Sequence, residues 1–102
     1  MKIVAVTACP AGIAHTNMAA TAIEKAAKNK GHEIKGEKQG ALGIQNEITD
    51  KDIQDADLAI LAVATKIEKE SRFESLPVHK VKIDEAVKDA GKVLDDALKL
   101  VK

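Results

Sequence analysis

The sequence predicts an α/β fold in three layers: a four-stranded parallel sheet, order 2-1-3-4, with helices on both faces in a Rossmann-like arrangement. Three observations carry that expectation. Short continuous apolar runs alternate with helix-patterned segments, as expected of parallel strands covered on both faces. The apolar supply is Val, Ile, Leu and Ala, with Phe73 the sole aromatic residue, which suits helices packed closely on a sheet. Right-handed crossovers then convert the order βαβ, short α, β, charged loop, β, α into a parallel sheet.

Each element has its own signal. Ile3, Val4, Ala5 and Val6 form a near-continuous apolar run, a strand buried on both sides. From Ile13 to Lys30 the pattern turns helical, with Ala19, Ala22 or Ile23, and Ala26 or Ala27 on one face; Gly31 is a natural stop. His32 to Lys38 reads as a more polar strand near an edge, followed by a loop punctuated by Gly36, Gly40 and Gly43 and running to Ile48. Thr49, three residues before Asp52, sets up a capping box for a short helix to Asp55. Residues 58–64 are the most apolar run and the best central strand. Thr65 to Phe73 is charged, a loop with a helical turn. Pro77 opens a last strand through Ile83, and Asp84 caps a C-terminal helix that Gly91 breaks in two.

Composition narrows the function. The chain has 102 residues, enough for one domain over 1–102, and 45% are hydrophobic, so it folds as a globule. Sixteen basic residues balance sixteen acidic ones, so no net field draws the chain to nucleic acid or an anionic membrane. Nothing approaches the ~20 apolar residues of a bilayer span. The absence of a leader pattern and the single cysteine imply a reducing cytoplasm. No metal site is expected, because Cys9 and His15 have no third ligand at suitable spacing. No cofactor is expected either.

The chemistry is concentrated at Cys9. It follows the first strand and precedes Pro10, Ala11, Gly12, Ile13, Ala14, His15 and Thr16, where the first helix opens. A strand, a glycine-containing turn and a helix N-terminus together make an anion cradle. A lone cysteine at a strand end is commonly a small buried hydrophobe. The flanking Pro10-x-Gly12 and the C-x5-H-T spacing point instead to a nucleophile facing a phosphoryl group, with the backbone of 10–16 as its phosphate loop. Helix N-termini and nearby cations lower thiol pKa values to roughly 3.5–7.5. The layout resembles the phosphate loop of low-molecular-weight tyrosine phosphatases, which place arginine where this chain has His15. Arginine grips phosphate bidentately and permanently. An imidazole holds it less firmly, which favours passing the phosphoryl group on over hydrolysing it. His32 and His79 lack such context and read as surface or strand residues.

The run Thr7 to Thr16, continued by Met18-Ala19-Ala20, closely resembles the phosphocysteine loop of the fructose-type IIB component of the bacterial phosphoenolpyruvate-dependent sugar phosphotransferase system. The likeness extends through Glu37-Lys38-Gln39-Gly40, residues 46–52, Ala56-Asp57 and Arg72-Phe73, nearly the whole chain. It implies a relay in which a IIA phosphohistidine loads Cys9. Cys9 then phosphorylates fructose, or a relative such as mannose or mannitol, held in the membrane-embedded IIC component. It also implies a cytoplasmic protein, free-standing or excised from a longer chain, that meets the inner membrane face only through IIC. His15 and Thr16 become loop donors, and Gln39, Gly40, Arg72 and Phe73 become candidate docking contacts, Phe73 being more commonly a core residue. Ala11 replaces a customary threonine, and Asn17 replaces a bulky, often aromatic residue; both bear on sugar and partner fit. Two other readings stand beside the relay: a small phosphatase, and a regulatory IIB-like phosphoprotein.

Overall fold

The computed structural model describes residues 2–8, 13–40, 43–64, 67 and 70–101, with main chain alone at 13–16, 40 and 101. Strand β1 (Lys2–Ala8) leads to helix α1 (Ile13–Asn29), β2 (Glu33–Gly40), β3 (Gly43–Gln45) and α2 (Asp50–Asp55). After these come β4 (Leu58–Val63), a 3-10 helix (Glu70–Phe73), β5 (Val78–Val81), α3 (Ile83–Lys88), α4 (Ala90–Leu98) and a last 3-10 turn (Lys99–Val101).

The sheet is mixed and five-stranded, in the order β3-β2-β1-β4-β5. This corrects the expectation of four parallel strands. The β2-β1, β1-β4 and β4-β5 pairs are parallel, whereas β3 runs antiparallel to β2, with Gly40 opposite Gly43. Three residues show no period, and the glycines that end both strands of this hairpin also read as loop punctuation. Gly43 has φ +102, a conformation glycine adopts without strain. β3 flanks β2 only over Lys38, Gln39 and Gly40, and the earlier part of β2 pairs with β1 alone, in keeping with the edge position expected of it.

The central strands are buried on both faces, and each face has its own core. Ile3, Ala5, Leu58, Ile60 and Ala62 meet Ala19, Ile23 and Ala27 of α1, together with residues of α3 and α4 such as Ala86 and Leu94. The alanines of α1 remove bulk, so the helix lies close to the strands. Val4, Val6, Ala8, Leu61 and Val63 face the other way, onto Ile48, Ile53, Ala56, Ile67 and Phe73.

Helix ends follow local chemistry. At the end of α1 the His32 N–H donates to Ala27 O (2.9 Å) and the Gly31 N–H to Lys28 O (3.0 Å). Gly31 sits at φ +79, a left-handed cap that satisfies the last carbonyls. Thr49 and Asp52 form the expected capping box on α2. The C-terminal helix does break, but at Asp89, whose carboxylate accepts the Lys92 N–H (3.1 Å) and caps α4 two residues before Gly91. The expected Asp84 cap is not there: α3 begins at Ile83, which is buried, and Lys82 holds the capping position without a side-chain hydrogen bond to the helix.

Candidate functional site

β1 occupies the middle of the sheet, reaching β2 on one side through α1 and lying against β4 on the other. Successive connections therefore leave in opposite directions at its carboxyl end, where open α/β sheets bind their ligands. That end is firmly held. Ala8 stands between Gln39 and Val63, and its carbonyl accepts the Ala64 N–H at 2.8 Å. Thr7 is buried, and its hydroxyl donates a long 3.5 Å bond to Glu37 O.

Beyond Ala8, four residues lead to the start of α1. Cys9, Pro10, Ala11 and Gly12 lie outside the described residues, as do the side chains of Ile13, Ala14, His15 and Thr16; the main chain of these last four forms the first turn of α1. This 17-residue helix has no acidic residue in its first turn, so the partial positive charge of its first N–H groups is not offset there.

One wall of this end is polar and sequestered. Glu37, opposite Val6 in the register, is 0% exposed. Its Oε1 accepts the Ile48 N–H at 2.8 Å, and its Oε2 accepts Gln39 Nε2 at 2.7 Å and Arg72 Nη2 at 2.5 Å. Arg72 Nη1 donates to Ile48 O at 3.0 Å, so the pair grips both sides of one peptide residue. The guanidinium lies 4.7 Å from the Phe73 ring centroid. Glu37 and Gln39 share a strand face, and Lys38 between them is on the other.

This arrangement revises the docking expectation. Phe73 is 1% exposed and Gln39 8%, while the Arg72 side chain is only 10% exposed. Gly40 ends β2 in the pair with Gly43. As the only aromatic residue, Phe73 fills the space under an aliphatic sheet, and Glu37 draws Arg72 inward. These residues build the wall behind the surface. Sequence reasoning missed Glu37 as a site residue, although two signals were available: acid and amide at alternate strand positions, and a lone arginine in a lysine-rich chain.

A second ion pair braces the same face from behind. Lys35 Nζ lies 2.6 Å from Asp52 Oδ2. The Asp52 carboxyl is held well below the usual carboxylate range, first by Lys35 and then by the Thr49 N–H and hydroxyl, against the opposing effect of burial. An open cleft of about 590 Å³ lies beside Arg72, lined also by Glu47, Ile48, Thr49, Asp50, Ser71 and Glu74. Among the described residues, no three His, Cys, Asp or Glu side chains gather as metal ligands, and no helix is long and apolar enough to cross a membrane.

The comparisons with known proteins agree with this architecture. Residues 4–96 match the family described as "PTS system, Lactose/Cellobiose specific IIB subunit". The "PTS system fructose-like EIIB component 2" of Escherichia coli K12 is 50% identical over 93 residues, 91% of this chain and 88% of that one. The "PTS system fructose-specific EIIB'BC component" of Rhodobacter capsulatus is 48% identical over 98 residues, 96% of this chain but 17% of that longer one. The solution structure of an Enzyme IIB subunit of the PTS from Escherichia coli K12 superimposes with a TM-score of 0.91 at 43% identity, covering 98% of this chain and 93% of that one. With its matched length and its fold in agreement, the chain belongs to the IIB components of the sugar phosphotransferase system, of the fructose-like type.

Proposed function

We propose that the chain works as a phosphoryl carrier through Cys9, between a IIA phosphohistidine and a sugar bound in the membrane IIC component. The thiolate attacks phosphorus; the S–P bond forms as the N–P bond breaks, and the imidazole leaves. In the second step a sugar hydroxyl attacks the same phosphorus and gives up its proton to solvent, the S–P bond breaks and the thiolate returns. The main chain of residues 10–16 serves as the anion hole, its donors the N–H groups of residues 11–16 since Pro10 has none, with His15 and Thr16 as further donors. Oriented amides of this kind stabilise developing charge without reorganising. Fructose or a close relative is the acceptor, and the protein works in the cytoplasm, visiting the membrane only through IIC.

The observation that carries this reading is the position of residue 9. It follows directly on an Ala8 anchored to both neighbouring strands and stands four residues before an acid-free helix N-terminus. The phosphoryl group of a phosphohistidine brought to this strand end approaches the partial positive charge of the helix start. The Rhodobacter relative, whose name joins B and C components in one chain, supports IIC as the acceptor-bearing partner.

Incubation with phosphoenolpyruvate, enzyme I, HPr and a matching IIA, followed by intact mass, tests the relay. One phosphoryl group is expected on the wild-type chain and none on Cys9→Ser or Cys9→Ala. Unchanged labelling in those variants would sink the assignment. Rapid Cys9-dependent hydrolysis of an aryl phosphate would move it to a phosphatase. Labelling by IIA with no onward transfer to any IIC-bound sugar would move it to a regulatory phosphoprotein.

A further inference from the structure

The open cleft beside Arg72 is a seam between two stretches of chain. Residues 47–50 line one side, and residues 71, 72 and 74 line the other. Beneath the seam both stretches meet at one carboxylate. Glu37 is 0% exposed; it accepts the Ile48 N–H through Oε1 (2.8 Å) and Arg72 Nη2 through Oε2 (2.5 Å), while Arg72 Nη1 donates to Ile48 O (3.0 Å). Ile48 and Phe73 are also buried in the same apolar cluster.

The other polar ties on these stretches lie at their ends or in solvent. Asn46, at φ +54, donates its amide to Gly36 O (2.8 Å), and the Lys35–Asp52 pair (2.6 Å) holds α2 to β2. The residues between them are therefore pinned on either side. The Glu70–Lys80 pair is 3.6 Å long and exposed, so it adds little. The bonds around Glu37 must then let go together. Separating Arg72 leaves an uncompensated charge in the interior, and separating Ile48 strands a buried donor and acceptor. Arg72 Nε is already buried with no hydrogen-bond partner among the described residues, so only the two Nη bonds offset its desolvation.

We propose that Glu37 and Arg72 form a latch, and that the 47–49 stretch and the 3-10 helix open across the seam as one cooperative unit, at a lower free energy than global unfolding. The side under α1, α3 and α4 stays closed in that event, because its core is a separate cluster. Opening widens the cleft and bares Ile48 and Phe73. The latch involves no phosphoryl chemistry, so it stands or falls apart from the relay.

Native-state hydrogen exchange, read amide by amide, tests this. The reporters are the Ile48 N–H and the Leu76 N–H, which donates to Phe73 O (3.0 Å). In the wild-type chain both should exchange with one free energy and one urea dependence. That dependence should be shallower than for the α4 amides, because a partial opening exposes less surface. Arg72→Lys and Glu37→Gln should each speed both reporters by the same factor, about tenfold for a weakened charge-assisted bond. Leu94→Ala should speed the α4 amides and leave both reporters unchanged. Two different urea dependences overturn the latch, since each stretch then opens alone. Acceleration of the reporters by Leu94→Ala overturns it as well, since the opening is then global. No acceleration in Arg72→Lys or Glu37→Gln means that the pair closes nothing. If a variant does not fold, the urea series on the wild-type chain decides.

Discussion

The two faces of the sheet are built by different rules. Beneath α1, α3 and α4, the side chains that pack from Ile3 to Leu94 and Ala97 are apolar, and alanines let the helices lie close. Beneath α2 and the 3-10 helix the floor is equally apolar around Val4, Leu61 and Phe73. At its β2 side, however, it ends in a buried carboxylate, an amide and a guanidinium. The first face can tolerate small shifts, because dispersion and hydrophobic burial are non-directional. The second cannot, because its hydrogen bonds fix angles as well as distances. The contrast separates non-directional packing on one face from directional polar bonding on the other.

The largest expected break in that contrast is Arg72→Met. It leaves the Glu37 carboxylate buried without its cation, and losses of about 3–5 kcal/mol are typical of that change. Urea unfolding should show the loss, and Glu37→Gln/Arg72→Met should recover more than half of it, since no charge then remains buried. A double variant as unstable as the single one would mean that packing of the arginine stem, and not charge, holds this wall.

On the apolar face, Leu94→Ala is expected to cost about 3 kcal/mol, within the usual range for deleting a fully buried leucine. The thiol pKa of the folded fraction should not change, because the buried side chains that Leu94 packs among are apolar. Thermal melts and alkylation rates measured on one sample separate the two effects. A shifted pKa here would show that the faces are coupled through the sheet.

The same contrast explains what could be read from the sequence. Cys9 to Thr16 is a contiguous run, so a proposal for its chemistry needs no fold; the Thr49–Asp52 capping box and the Gly31 stop were legible in the same local way. Each depends on residues within one or two helical turns. The Glu37–Arg72 wall joins residues 35 positions apart, and only the pairing of β2 with β1 and the return of the 3-10 helix bring them together. β3 was missed because three residues between glycines show no periodicity. The helix break was displaced to Asp89 because a side-chain cap, more than glycine's weak propensity, decided where α4 starts.

A smaller pair of changes compares the faces cap for cap. Thr49→Ala and Asp89→Ala each remove a side chain that accepts a helix N–H, worth about 1 kcal/mol apiece. Their effects on melting should match. Only Thr49→Ala, next to the clamped Ile48, should also slow labelling of Cys9 by IIA. Equal labelling in both variants would detach α2 from the site.

The smallest effect expected is in acid, and its sign is determined by Asp52. The Asp52 carboxyl titrates well below its ordinary 3.8, with Lys35 the first cause. A group whose folded pKa is depressed adds stability that is complete above the unfolded value and is lost as pH falls through the folded one. Asp52→Asn keeps an acceptor for the Thr49 N–H but removes the charge. Wild type should therefore exceed this variant in stability at neutral pH, and the gap should narrow as pH falls below about 4. Because Lys35 and Asp52 are 29% and 19% exposed, salt should narrow it as well. A gap that widens in acid, or ignores salt, would mean the variant acts through the capping geometry and not through the ion pair that braces β2 behind the wall.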